Sequence, residues 1–231
     1  LNQYTSRTTP GYAAVRGEAN PNAVVTVNEN PAFRLGSYYF GSDLFDNTAS
    51  SGLANLETYA VLASPTNGPD EISAVTSQVY LAQSPESFAY DDDGNLVSDG
   101  RYEYSYDAEN RLIGIAPVDP SDGDVAVANV YDHRYRRIEK RVLERSNGAW
   151  RHSRTSRFAH DVCNIVREQV EAPDGSSRAI MYLWGRDFSG SPYGAGGVGG
   201  LLLVESEGEA AVPCFDGNGN VANYVDDGGA L

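Results

Sequence analysis

The chain has 231 residues, 41% of them hydrophobic, which is enough to bury a core. Its formal net charge of −15 repels a phosphate backbone and argues against nucleic acid as a partner. Twenty-four Gly and 11 Pro, spread along the chain, call for many turns and exclude a low-complexity polymer. Tyr outnumbers Phe by 15 to 7, and Tyr suits half-buried strands with one wet end. Since no capped helix-period run exceeds about two turns, the fold class expected is all-β. The two cysteines, Cys163 and Cys214, are too few for a disulfide scaffold and either pair across neighbouring strands or stay free. The best apolar run, Leu201-Leu202-Leu203-Val204, falls far short of a membrane span. No basic-then-apolar leader opens the chain, and its pattern is still running at Leu231, so it is expected to be part of a longer polypeptide.

Residues 1–85 read as a small β-sandwich-like module. Turn-rich Gly17 to Ala23 precedes a β run at Val24 to Asn28, and further runs lie at Phe33–Phe40, Glu57–Ala63 and Ile72–Ala82, with Pro, Asn and Gly between them. Val-Thr-Val-Asn followed by Tyr38-Tyr39-Phe40 resembles the bacterial Ig-like repeats of secreted multidomain proteins.

From residue 88 a unit recurs. Tyr90-Asp91-Asp92-Asp93-Gly94-Asn95-Leu96 is followed by Tyr106-Asp107-Ala108-Glu109-Asn110-Arg111-Leu112. Between them Tyr102, Tyr104 and Tyr106 alternate, which sets three aromatic rings on one face of a strand. Each unit reads as strand, Asp-led turn, strand. The Asp carboxylate accepts backbone N–H groups two residues on, while Gly94 or Asn110 takes the left-handed conformation. Further copies lie at Tyr131-Asp132, at His160-Asp161 and at Phe215-Asp216-Gly217-Asn218-Gly219-Asn220-Val221, with Asn147-Gly148 as a type I′ hairpin signal. The turn residues expected to shape the array are thus Asp91, Gly94, Asn95, Asp107, Asn110, Asp132, Asp161, Asp216, Gly219 and Asn220.

These segments, with Tyr-Leu-Trp-Gly-x-Asp at 182–187 and the glycine-rich 194–202, resemble the YD repeats of Rhs-type bacterial proteins and teneurin shells over about residues 88–227. Departures from the pattern are Tyr135 where a turn Gly is usual, His160 for the repeat Tyr, and Val162-Cys163 where the family often has Gly-Trp. The family's Asp-Pro autocleavage segment has no counterpart; Asp119-Pro120 lacks its context. The resemblance implies a spiralling β-hairpin array over residues 88–231, incomplete at its C-terminus, that walls off an interior. It also implies an extracellular or cell-surface setting, with the rest of a longer Rhs-type polypeptide and an enclosed C-terminal toxin as partners.

The same residues bear on rival chemistries. Gly194-Ala195-Gly196-Gly197-Val198-Gly199 matches the dinucleotide spacing G-x-G-x-x-G but lacks the βαβ context. In an EF-hand count, Gly94 and Gly219 place Ala89 and Cys214 at the first ligand position, so neither loop fits calcium. His133, His152 and His160 lack a recurring carboxylate or serine partner, and no G-x-S-x-G elbow occurs. Trp150, Tyr182 and Trp184 are candidates to stack on a surface glycan, against the alternative of a buried sheet face. The reading is a non-catalytic segment of an Rhs/YD-repeat shell, with no cofactor and no metal. A carbohydrate- or protein-binding surface module stands second, and a glycoside hydrolase with unrecognised paired acids third.

Overall fold

The computed structural model describes residues 3–66, 68–226 and 228–229. The described residues contain no helix, and the protein is all-β. It divides into two compact units, 1–101 and 102–231. The division falls one hairpin beyond the expected 85–88 junction, so the first Tyr-Asp hairpin belongs to the first unit.

The first unit holds β1 (Ser6–Arg7), β2 (Tyr12–Glu18), β3 (Val24–Val27), β4 (Asn30–Pro31), β5 (Phe33–Leu35), β6 (Tyr38–Leu44), β7 (Gly52–Leu62), β8 (Glu71–Leu81), β9 (Glu86–Ser87), β10 (Ala89–Tyr90) and β11 (Leu96–Ser98). Two sheets, ordered β2-β6-β5 and β4-β3-β7-β8, enclose a small core. Ala13, Val27, Ala54 and Leu56 are buried there, with Val15, Phe45, Val79 and Leu81 packed against them. Alternation explains the selection: in β7, Ala54, Leu56 and Thr58 are buried while Leu53, Asn55, Glu57 and Tyr59 are exposed. The run Phe33–Phe40 is not one strand. Gly36, at φ +61°, reverses the chain, and Phe33 and Leu35 pair with Phe40 and Tyr38.

The second unit holds β12 (Tyr102–Tyr106), β13 (Leu112–Pro117), β14 (Val125–Tyr131), β15 (Arg137–Ser146), β16 (Ala149–Asp161), β17 (Asn164–Glu171), β18 (Ser177–Trp184), β19 (Leu201–Ser206), β20 (Glu209–Phe215) and β21 (Val221–Asp226). Each strand pairs antiparallel with the next in chain order, β12 through β21, as one sheet. Such a meander needs only local turns, and the sequence supplies them. Asn147 and Gly148 both take positive φ, as a type I′ turn requires, and Ser146 pairs with Ala149.

Candidate functional site: clasped turns on a two-faced sheet

Four Asp-led turns share one hydrogen-bond pattern. At Asp91 the backbone N–H donates to the Asn95 carbonyl at 3.0 Å, and the Gly94 N–H donates back to the Asp91 carbonyl at 3.1 Å. The carboxylate then caps the loop from inside: Oδ1 accepts the N–H groups of Asp93 and Asn95, and Oδ2 accepts the Asn95 side-chain amide. Asp107 accepts from the N–H groups of Glu109 and Arg111, with Arg111 Nε at 2.7 Å in place of the amide. Asp132 does the same with Arg134 and Arg136. Asp216 repeats the Asp91 arrangement with Asn218 and Asn220. The fourth residue of each turn is left-handed: Gly94 at +89°, Asn110 at +59°, Tyr135 at +62° and Gly219 at +81°. Just before each Asp the ladder slips by one residue, so that Tyr90, Tyr106, Tyr131 and Phe215 face Leu96, Leu112, Arg137 and Val221 across a bulge.

Asp161 departs from this pattern. Its chain reverses through Val162-Cys163 alone, with Asp161 paired to Asn164, so there is no five-residue loop for the carboxylate to clasp. Its Oδ2 accepts the Tyr193 hydroxyl instead, at 2.7 Å.

The same fold logic makes a further clasp that the residue pattern did not single out. Asp187 is buried, and its N–H and carbonyl close a turn with Ser191 and Gly190, the latter at φ +78°. Oδ1 accepts from the Ser189 N–H and hydroxyl, while Oδ2 accepts the N–H groups of Ala195 at 2.7 Å and Gly197 at 3.2 Å. The signal was present as the spacing Asp187-x-x-Gly190, the spacing of Asp91-x-x-Gly94. The glycine-rich loop therefore directs amides at a carboxylate of its own chain, and the strand β19, not a helix, follows it.

Electrostatics follow from these contacts. The Asn95 side chain holds the Asp91 carboxyl below the usual carboxylate range, as the Asn220 side chain does for Asp216. Asp107 is partly desolvated, yet the Arg111 N–H and guanidinium bring it down. The Arg136 guanidinium depresses Asp132 furthest. The Ser189 hydroxyl and three backbone amides keep Asp187 low. His160 is pulled below the usual imidazole value by desolvation and by Arg136.

The arginines at the fifth turn position do more than clasp. Arg111 donates from Nη1 to the Asp132 carbonyl at 2.9 Å, and Arg136 donates from Nη1 to the Val162 carbonyl at 3.0 Å. Each links its own turn to the next turn on the same side of the sheet. The Arg111 guanidinium also lies 5.5 Å from the ring centroids of both Tyr131 and Tyr135.

Between the turns the sheet has two chemically distinct faces. Cross-strand register aligns Tyr104, Ile115, Val127 and Val142 in one row. Tyr102 and Tyr104 pack 6.5 Å apart on that face, and Phe158 and Ile180 continue it through Glu168. The opposite face carries an ion-pair ladder: Arg141 to Glu139 at 2.7 Å, Arg157 to Glu139 at 3.2 Å and Arg157 to Glu171 at 2.5 Å. Among the described residues the strands of this unit form one sheet, and the rings on its aromatic face are half-buried.

The three aromatic residues singled out for glycan stacking do not form one platform. Tyr182 and Trp184 lie on the aromatic face, and both polar tips are engaged inside the sheet. The Tyr182 hydroxyl donates to Glu168 at 3.0 Å, and Trp184 Nε1 donates to the Ile165 carbonyl at 2.7 Å. Desolvation and the Glu168 carboxylate push the Tyr182 hydroxyl well above the usual phenol value. Trp150 pairs with Arg145 on the opposite face, with the guanidinium 5.8 Å from its ring. Cys163 and Cys214 are both free and exposed. Among the described residues, no three His, Cys, Asp or Glu side chains converge as a metal-ligand group, and no helix is long and apolar enough to cross a membrane.

Compared with known proteins, the sequence matches no family model and no curated protein.

Proposed function

We propose that the chain is a non-catalytic wall segment of an Rhs/YD-repeat shell, whose work is to enclose or display cargo within a longer secreted or surface polypeptide. The observation that carries the reading is the recurrence of one carboxylate-clasped turn, at Asp91, Asp107, Asp132 and Asp216, along sheet strands that pair in chain order. A hairpin of this kind is marginal alone, and its neighbour both pairs its edge and extends its aromatic face. A sheet with an aromatic-rich face and a face that carries an ion-pair ladder suits a wall, since each face meets a different environment. Arg111 and Arg136, which tie successive turns together, add rigidity along the rim of that wall.

The internal hydrogen bonds of Tyr182 and Trp184 favour this reading over a glycan platform, because a stacking residue keeps its polar tip for the ligand. The test is the mass and shape of the native polypeptide in its source cells, detected with an antibody against these residues. The reading expects a product far larger than 24.9 kDa with a protease-protected interior seen as a hollow particle in electron micrographs. A native product near 24.9 kDa, or a large one without a cavity, overturns it.

A further inference from the structure

The sheet β4-β3-β7-β8 ends on β8, and among the described residues no strand pairs with the outer side of β8. Strands β7 and β8 run in unbroken register from Gly52↔Leu81 to Leu62↔Glu71, without a bulge. Exposed edges are ordinarily blunted by Lys, Pro, bulges or inward-pointing charge, because their free N–H and C=O groups template another strand. The sequence of β8, Glu-Ile-Ser-Ala-Val-Thr-Ser-Gln-Val-Tyr-Leu, has none of these, and its one charge is Glu71 at the end. All six residues from Glu71 to Thr76 are exposed, including Ile72 at 64% and Val75 at 60%. Adjacent positions on a strand point to opposite faces, so this half of β8 is uncovered on both faces as well as along its edge. What fits a free row of backbone donors and acceptors flanked by apolar side chains is a second extended strand.

We propose that residues 71–77 of β8 form a self-association edge that pairs antiparallel with β8 of a second copy about a two-fold axis. In a two-fold pair, residues opposite each other must share a face, so one residue must meet itself. With Ala74 on the axis, Ile72 meets Thr76, Ser73 meets Val75 and Glu71 meets Ser77. Those pairs cover both exposed aliphatic side chains with a β-branched or small partner, and the small Ala74 lets the backbones close. Glu71 is the only charge on β8 and faces no like charge in this register. The pairing joins two four-stranded sheets into a single continuous one. Each copy carries −15 overall, so salt that screens this repulsion strengthens the dimer.

The test is sedimentation equilibrium of the full chain up to about 1 mM, a range chosen because so small a contact binds weakly. It is run at low and high salt, with circular dichroism to confirm that each variant is folded. Ala74→Lys sets two like charges on the axis, and Thr76→Lys places a charge against Ile72. Phe33→Lys makes the same charge change on the exposed aromatic patch of the other sheet, where Phe33 is 69% exposed. The proposal expects a salt-strengthened dimer, weakened about tenfold or more by Ala74→Lys and Thr76→Lys and unaltered by Phe33→Lys. A monomer at every concentration, a dimer that survives both β8 variants, or one lost equally in all three variants overturns it.

Discussion

The Arg111 guanidinium donates to the backbone carbonyl of Asp132, 21 residues further along, while its Nε holds Asp107 in its own turn. One planar side chain thus serves two turns, through N–H groups on two different nitrogens held in a fixed fork, where an ammonium has a single nitrogen. Arg136 repeats the arrangement toward Val162. Where the fifth turn position is Asn, at Asn95 and Asn220, the side-chain amide closes the same clasp on Asp91 and Asp216.

If the fork matters, Arg136→Lys should behave much as Arg136→Ala does. Both variants are expected to lose about 1 kcal/mol of stability in urea unfolding. Full stability in the Lys variant would show that charge alone suffices.

Val162 holds φ +54° in a two-residue turn, a conformation that a β-branched residue adopts only under strain, and its side chain is 55% exposed. Val162→Gly removes the strain and forfeits little packing. We expect a gain of about 1 kcal/mol, read by thermal or urea unfolding. A loss would mean that the valine side chain makes a contact worth more than the strain.

Gly219 carries the reverse expectation. At φ +81°, a Cβ there would lie 2.6 Å from Val198 Cγ1 and 2.7 Å from Phe188 Cε2. Gly219→Val should cost about 2 kcal/mol or more, from strained backbone and displaced neighbours together. Gly175 has the same sign of φ with open space around it, so Gly175→Ala should cost less. Equal costs at the two sites would assign the whole effect to φ.

Acid should loosen the array through the clasps. Asp91, Asp107, Asp132, Asp187 and Asp216 all titrate below the ordinary carboxylate value in the folded chain. The unfolded chain therefore takes up protons first as pH falls. Their stabilisation is complete above about pH 4 and drains away as pH drops through the folded values. The stability–pH slope below about pH 4 should be shallower in Asp132→Asn than in the parent. An unchanged slope would remove Asp132 from the acid response.

His160 contributes in a second window. Its folded pKa is lowered, so the unfolded chain binds that proton more readily, and stability falls as pH drops below about 6.5. The decline should be absent in His160→Gln, measured by unfolding between about pH 7 and pH 5. A decline that persists would remove His160 from the response in this window.

Much of this was written locally. The recurrence of an aromatic residue followed by Asp was sufficient to place four turns, because an Asp carboxylate can reach only the amides that follow it; left-handed φ three residues later falls on the favoured types at Gly94, Asn110 and Gly219 and on Tyr135 against that preference. Asn147-Gly148 is equally local. Asp161 shows where that logic stops: the dipeptide resembled the others, but Val162-Cys163 closed the chain in two residues and left the carboxylate to Tyr193, 32 residues away. Asp187 shows the converse, a turn legible in its spacing whose second carboxylate oxygen is claimed by Ala195 and Gly197.

The sequence by itself determined the all-β class, the alternation that puts Tyr102, Tyr104 and Tyr106 on one face, and the turns at Asp91, Asp107, Asp132 and Asp216, since each depends on neighbours within a few residues. Tertiary structure alone decided which carbonyl Arg111 and Arg136 reach, that Trp150 lies opposite Tyr182 and Trp184, and that β8 ends its sheet. Those facts depend on cross-strand register, where each bulge shifts every later pairing by one residue, and on which strand finds no neighbour.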